Sequence, residues 1–303
     1  MARIIIMGAG GRLGAALLRG YGDEHAVTGF SHAQLDLGNR EQLRGTLGAL
    51  EFDLLINCAA QTNVDRCEKE PEEAFALNAE APRVLAEVCT AQGARLIHIS
   101  TDYVFDGAKT TPYTEEDEAK PISVYGQSKL EGERLVLLAD AGHLVVRVSW
   151  VFGPDRPSFI DWVVQQACAK EAVAAVADKF SAPTYTCDLA ALLRPLMASR
   201  GGANGSGVIH LANRGECSWR EYGQWALDCG RAEGLPLRAE TVDAISLAEM
   251  KQFVARRPVY TVLATEKYER ITGQAPRDWR VAVRDYVREH LAPAMRTNAA
   301  VRP

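Results

Sequence analysis

The sequence has no long hydrophobic run. Its opening apolar stretch, Ile4-Ile5-Ile6-Met7, is stopped by Gly8 after four residues, the length of a buried strand and too short for a signal peptide or a membrane span. Positive charge is not in excess: 34 Lys and Arg against 39 Asp and Glu leave a net charge of −5, which gives no footprint for nucleic acid or an anionic membrane. The seven cysteines, at 58, 67, 89, 168, 187, 217 and 229, show no metal-type spacing and do not cluster with histidine. No metal site is assigned, and they read as small buried hydrophobes of a reducing compartment. Internal repeats and low-complexity segments are also missing. A soluble, cytoplasmic protein is expected, with no nucleic-acid or membrane partner. Its 303 residues, 47% hydrophobic, suffice for a large core, in one big domain or two interleaved ones.

What is present begins at the N-terminus. Ile4–Met7 runs into Gly8-Ala-Gly-Gly11-Arg12-Leu13-Gly14 and then Ala15-Ala16-Leu17-Leu18. Strand, glycine turn and helix in that order are the dinucleotide-binding start of a doubly wound parallel sheet. Glycines let the backbone approach a pyrophosphate, and the helix N-terminus offers free N–H groups. The spacing is Gly8-x-x-Gly11-x-x-Gly14, with Leu at position 13. After the second expected strand, Ala26–Phe30, Ser31 and His32 stand where NAD-specific proteins carry an acid for the ribose 2′-hydroxyl. With no carboxylate to repel a 2′-phosphate, and with Arg12 and His32 nearby, NADPH is favoured over NADH. Asp36 and Leu37 are assigned to the flank of the adenine. The third strand, from Phe52 to Asn57, ends in Cys58, Ala59 and Ala60, small side chains over which a cofactor can pass, with Thr62 just beyond.

The fourth strand, Arg95–Ile99, leads into Ser100-Thr101-Asp102-Tyr103-Val104-Phe105 and so puts hydroxyls at the crevice end of the sheet. A polar loop over Ala108–Ser123 precedes a helix in which Tyr125 and Lys129, four residues apart, share a face. A cation beside a phenol is expected to lower its pKa, which suits a proton donor near neutral pH. Leu130, Leu135, Leu137 and Leu138 are the expected apolar face of this helix. The fifth strand, Leu144–Val148, ends at Ser149-Trp150. Helices are also expected over Glu72–Gln92, Phe159–Val176, Ala190–Met197, Trp219–Ala232 and Val281–Leu291. A flexible loop is expected at 201–207, a short strand at Val208–Leu211 and a frayed tail from Met295. His98 and His210, in apolar strands, read as core residues. The expected division is a dinucleotide-binding domain over 1–152, to which later strands can return, a mainly substrate-binding domain over 153–294, and a tail.

Gly8-x-x-Gly11-x-x-Gly14, Asn57-Cys-Ala-Ala60, Ser100-Thr101 and Tyr125-x-x-x-Lys129 together resemble the extended short-chain dehydrogenase/reductases. Further along, Ile99-Ser-Thr-Asp-Tyr-Val-Phe-Asp-Gly107, Pro112-Tyr113, Tyr125-Gly-Gln-Ser-Lys129, Arg147-Val-Ser-Trp-Val-Phe152, Ala182-Pro-Thr184, Ser218-Trp219 and Arg257-Pro258 are similar to the dTDP-4-dehydrorhamnose reductases. These matches keep that family's order over most of the chain. The resemblance implies a Rossmann fold with a smaller, mostly C-terminal α/β substrate domain. It implies reduction of the 4-keto group of a nucleotide-linked deoxysugar by NADPH or NADH. Tyr125 is the implied proton donor, Lys129 the residue that holds the nicotinamide ribose and keeps the phenol acidic, and Thr101 the hydrogen-bond donor to the carbonyl. Val64, Asp65, Tyr103, Phe105 and Trp150 make the implied substrate wall, with Arg257 for the diphosphate.

Two departures fall in the substrate half: Asp178-Lys179 where the family has Asp-Gln, and Tyr260-Thr261 where a small polar pair is expected. Some relatives dimerise around Mg²⁺, so the resemblance admits a homodimer, but no Mg²⁺ site is located here. Sugar-nucleotide dehydratases carry Thr-Asp-Glu where this chain has Thr101-Asp102-Tyr103, which argues against elimination chemistry. Epimerases share the Thr, Tyr and Lys but retain NAD and the acid after the second strand. A non-catalytic reading, similar to the regulatory subunit of methionine adenosyltransferase, stays open beside them.

Overall fold

The structure is a computed structural model that describes residues 1–197 and 206–300, the last three of these in backbone alone. Most of the glycine-rich loop expected at 201–207 lies outside the described residues. Six parallel strands form one sheet: β1 Arg3–Met7, β2 Ala26–Phe30, β3 Leu54–Asn57, β4 Arg95–Thr101, β5 Leu144–Val148 and β6 Gly207–His210. Their spatial order is β2-β1-β3-β4-β5-β6. The strands read as continuous apolar runs because helices cover both faces of the sheet. On one face Ile4, Ile6, Ile56 and Ile97 pack with Leu13 and Leu17 of α1 (Arg12–Tyr21). On the other, Ile5, Met7, Leu55 and Leu96 pack with Leu43 of α2 (Arg40–Gly48) and Leu85 of α3 (Ala81–Ala91). The order reverses between β1 and β3, and in an open α/β sheet that switch point is where a ligand crevice opens.

Helix α4 (Val124–Ala139) corrects one expectation. Ser123 caps it, its Oγ accepting the Gly126 N–H at 3.2 Å. Its buried face is Tyr125, Gly126, Ser128, Lys129, Gly132, Glu133 and Val136, while Leu138 is 75% exposed and Leu130, Leu135 and Leu137 are only half-buried. The reason is close polar packing: a Cβ on Gly126 would stand 2.2 Å from Tyr103 O. On the same face Glu133 is buried in a bidentate pair with Arg147 of β5, at 2.6 Å and 2.9 Å, and accepts from Ser100 Oγ.

Beyond β5 the chain builds a second, aromatic core, in which Phe152, Tyr185, Tyr222, Trp279 and Tyr286 bring together α5 (Phe159–Ala169), α7 (Trp219–Ala232) and α8 (Trp279–Tyr286). Between these, α6 (Thr186–Met197) returns to the sheet, its Leu189 and Leu193 packing in the cluster of α1, and β6 pairs with β5. The helix expected over Phe159–Val176 ends at Ala169. Val173–Val176 is instead a strand, paired in parallel with Val242–Ile245, a partner too distant in sequence for local periodicity to register. Of the frayed tail expected from Met295, the described part is helical, within Ala292–Ala300, and Arg296 Nη2 donates to Glu233 O at 2.5 Å. Among the described residues no helix is long and apolar enough to cross a membrane.

Candidate active site

A crevice of about 1010 Å³ runs along the C-terminal ends of β1 to β5, at the upper end of the range of ligand pockets. Its cofactor side is mostly backbone and small side chains. Gly8 and Ala9 donate their N–H groups to Phe30 O at 2.8 Å and 3.0 Å, which ties the turn after β1 to the end of β2. Gly11, the N-cap of α1, makes no side-chain capping bond, so the first N–H groups of the helix are open to an anion. Gly8, Gly11, Arg12, Leu13, Ser31, His32, Asp36, Leu37, Cys58, Ala59, Ala60 and Thr62 all line this crevice. Gly14 does not: a Cβ there would lie 2.2 Å from Gly8 O, so its part is to seat α1 against the turn. The guanidinium of Arg12 is engaged as well, donating to Val151 O, Arg156 O and Pro157 O. Burial of the Cys58 thiol pushes its pKa up to about 12, so it stays protonated and unreactive.

Lys129, Tyr125 and Thr101 meet on the floor. Lys129 is 1% exposed. Its Nζ donates to Ile99 O at 2.7 Å and lies 3.2 Å from His98 Nε2, while His98 Nδ1 is 3.0 Å from Asn57 Nδ2. Burial lowers Lys129 to about 8 against the opposing charge of Glu133, and burial followed by the Lys129 charge holds His98 well below its ordinary value. Tyr125 packs edge-on to Tyr103 with centroids 5.5 Å apart. The expected acidification of this phenol is corrected: burial raises its pKa, the hydrogen bond with Thr101 works the other way, and Lys129 is not among the causes. The Lys129 nitrogen is held by the backbone of β4 instead.

Thr101 donates to Asp102 Oδ1 at 3.1 Å and accepts the Tyr103 N–H at 3.2 Å. Asp102, fully buried, accepts from Thr261 Oγ1 at 2.5 Å and Ser181 Oγ at 3.3 Å, and burial raises its pKa.

On the opposite side, Val64, Tyr103 and Trp150 line the crevice with Thr101. Trp150 has φ 38°, the one non-glycine residue with positive φ among those described, a strained backbone of the kind that concentrates at binding sites. Lys179, one of the two departures, is fully buried beneath this wall. Its Nζ donates to Pro258 O at 2.5 Å and lies 5.0 Å and 6.0 Å from the Tyr103 and Trp150 ring centres. Thr261, the other departure, bonds Asp102.

Phe105 is a correction, for it does not reach the crevice. It is fully buried, stacked on Tyr113 at 4.1 Å with the Arg147 guanidinium 5.1 Å away. Asp65 and Arg257 are not among the lining residues. They pair bidentately at 2.7 Å and 3.0 Å, Asp65 also accepts the Val254 and Ala255 N–H groups, and these contacts hold its carboxyl at about 2.

Sequence reasoning missed Asn78, which takes the Gln61 N–H at 2.8 Å and gives Nδ2 to Ser128 Oγ at 3.0 Å. It sits in a π-helical turn, Ala76–Glu80, and such turns gather at functional sites, but nothing in the local sequence announces one. Arg156, which lines the crevice, was missed because it lies 146 residues after Gly10, the residue it bonds. No cluster of three or more His, Cys, Asp or Glu able to hold a metal occurs among the described residues.

Residues 2–292 match the family model of the RmlD substrate binding domain. A dTDP-4-dehydrorhamnose reductase of Mycolicibacterium smegmatis is 38% identical over 288 residues, covering 94% of this chain and 85% of the relative. The spore coat polysaccharide biosynthesis protein SpsK of Bacillus subtilis is 33% identical over 290 residues, covering 95% and 98%. Among solved structures, dTDP-4-dehydrorhamnose reductase of Bacillus anthracis in complex with NADP superposes with a TM-score of 0.87 at 30% identity, covering 94% of this chain and 98% of that one.

Proposed function

Because the chain belongs to the dTDP-4-dehydrorhamnose reductase family, oxidoreductases that use a nicotinamide cofactor, we propose that Tyr125, Thr101 and Lys129 carry its 4-ketoreduction of a nucleotide-linked deoxysugar. The observation that carries this reading is the meeting of those three side chains on the crevice floor, between small residues on one side and an aromatic wall on the other. When bound, the nicotinamide supplies the hydride to the ketone carbon. Tyr125 gives its O–H proton to the oxygen as charge develops there. Burial keeps that phenol protonated until the alkoxide forms, and an alkoxide is basic enough to take the proton. Thr101 Oγ1, turning its O–H from Asp102 Oδ1, hydrogen-bonds the same oxygen and fixes it in line. Lys129, held by Ile99 O, keeps further N–H capacity for the nicotinamide ribose. Val64, Tyr103 and Trp150 offer apolar and aromatic faces to the sugar or the base, and Arg257, released in part from Asp65, serves the diphosphate.

The test is a panel of 4-keto nucleotide sugars offered with NADPH and with NADH, followed at the nicotinamide absorbance. Stoichiometric cofactor oxidation with at least one member is expected. No oxidation with any member, together with isolation of protein carrying its own oxidised cofactor, would sink the reductase reading.

A further inference from the structure

Two arginines lock the turn after β1 to the segment after β5. Arg12 spreads its guanidinium over three carbonyls, Nη1 to Val151 O at 3.1 Å, Nε to Arg156 O at 3.2 Å and Nη2 to Pro157 O at 2.5 Å. Arg156 answers with Nε on Gly10 O at 3.0 Å. Three backbone acceptors therefore occupy Arg12, whereas Arg156 is anchored by one nitrogen. Among the described residues, its two terminal nitrogens have no hydrogen-bond or carboxylate partner. The adjacent Asp155 does not neutralise it, because Arg19 holds that carboxylate at 2.6 Å.

The place where Arg156 points is defined by Gly10. Its Nη2 is 4.0 Å from the position of a Cβ on that glycine, and the same position is 3.5 Å from Ser31 Cβ. Ser31 and His32 follow β2, where a dinucleotide-binding sheet recognises the ribose hydroxyls of the adenosine, and all of these residues line one crevice. A carboxylate there would select a free 2′-hydroxyl. This chain instead presents an anchored guanidinium and an imidazole suited to a phosphate, with a Ser31 hydroxyl that would have to turn from Gln34 Oε1, to which it donates at 2.7 Å. A carboxylate close by is Asp36, whose Oδ1 lies 3.4 Å from His32 Nδ1 and accepts the Gly38 N–H.

We propose that Arg156, with Ser31 and His32, forms the subsite for the 2′-phosphate of NADPH, so that a residue from beyond the fifth strand sets cofactor choice. The proposal rests on reading the crevice as a nicotinamide-dinucleotide site. It is tested by titrating the full chain with 2′,5′-ADP and with 5′-ADP in a calorimeter, wild type against Arg156→Ala. The variant is expected to bind 2′,5′-ADP about tenfold more weakly or worse and 5′-ADP within twofold of wild type. The same split is expected between NADPH and NADH in the quenching of tryptophan fluorescence. Equal weakening of both probes would place the guanidinium on the diphosphate and overturn the proposal, as would no weakening of either. These arms need no sugar substrate, so they read out even where the reductase assignment fails; wild-type protein that binds neither probe would overturn both.

Discussion

The two sides of the crevice are built on opposite plans. Where β1, β2 and β3 end, the wall is glycine, alanine and backbone N–H, and the nearest neighbours of Gly8 are the backbone and Cβ of Ala59, a hypothetical Cβ lying 2.9 Å from Ala59 N. Across from it, Tyr103, Trp150 and Asp102 line the crevice, with Lys179 buried behind the two rings and the Asp65–Arg257 pair outside the lining, large or charged side chains held by contacts with other side chains and backbone. The first side should suffer from added atoms and the second from lost ones. The pyrophosphate of a dinucleotide can be met by fixed backbone, whereas a sugar calls for side chains of matching shape and polarity. Both departures from the family pattern, Lys179 and Thr261, accordingly fall on the second side.

That contrast can be broken most sharply on the floor where the sides meet. Tyr125→Phe keeps the ring and its edge contact with Tyr103 but removes the proton, so kcat should fall by about two to four orders of magnitude while NADPH binding stays within twofold. A wild-type rate would remove Tyr125 from the mechanism. Next in size is Gly14→Ala, which adds one methyl where Gly8 O stands 2.2 Å away. It should cost about 1–3 kcal/mol of stability in a denaturant titration and weaken cofactor more than sugar; full stability would mean that the turn can yield.

Behind the opposite wall, Arg257→Ala takes atoms away and removes the cation paired with Asp65. KM for the nucleotide sugar should rise about tenfold, the loss of one or two charge-assisted hydrogen bonds, with KM for NADPH unchanged. An equal rise in both would dissolve the distinction between the sides. The smallest effect is a pH dependence. With Lys129 lowered from 10.5 to about 8 by burial, folding below pH 8 buries a charge that the unfolded chain keeps in water. Between about 8 and 10.5 the folded amine has lost its proton while the unfolded one retains it, so stability contributed at this position rises with pH across that window. Relative to Lys129→Met, the wild type should therefore gain stability between pH 8 and 10.5 in urea titrations. A difference flat with pH would count against a strained buried ammonium.

What the sequence makes legible is what is local. Ile4 to Gly14 spells a strand, a turn and a helix in one unbroken run, and Tyr125 and Lys129 need only one helical turn to share a face. The glycine turn, the small residues after β3 and the hydroxyls at the end of β4 do arrive in one crevice. Phe105 was assigned to the wall with Tyr103 by resemblance, whereas the 3₁₀ turn at Asp102–Val104 rotates the chain between them. The leucines of α4 misled because its partner surface is polar and pressed too close for them. Arg156 and the pairing of Val173–Val176 depend on segments that meet only after the chain has folded, so no window of sequence contains them.

One further consequence follows from the buried row Asn57, His98 and Lys129. Asn57 Oδ1 takes the Ala59 N–H at 3.1 Å, so the amide nitrogen must be the atom that faces His98 Nδ1. A neutral imidazole carries a single hydrogen, and here that hydrogen is left on Nε2, aimed at Lys129 Nζ. In this arrangement Nζ receives it with a lone pair, as an amine. Charging Lys129 requires the imidazole to change tautomer and the Asn57 amide to turn over, which releases Ala59 on the cofactor wall. Proton count at the lysine and the posture of the β3 terminus are thus a single degree of freedom.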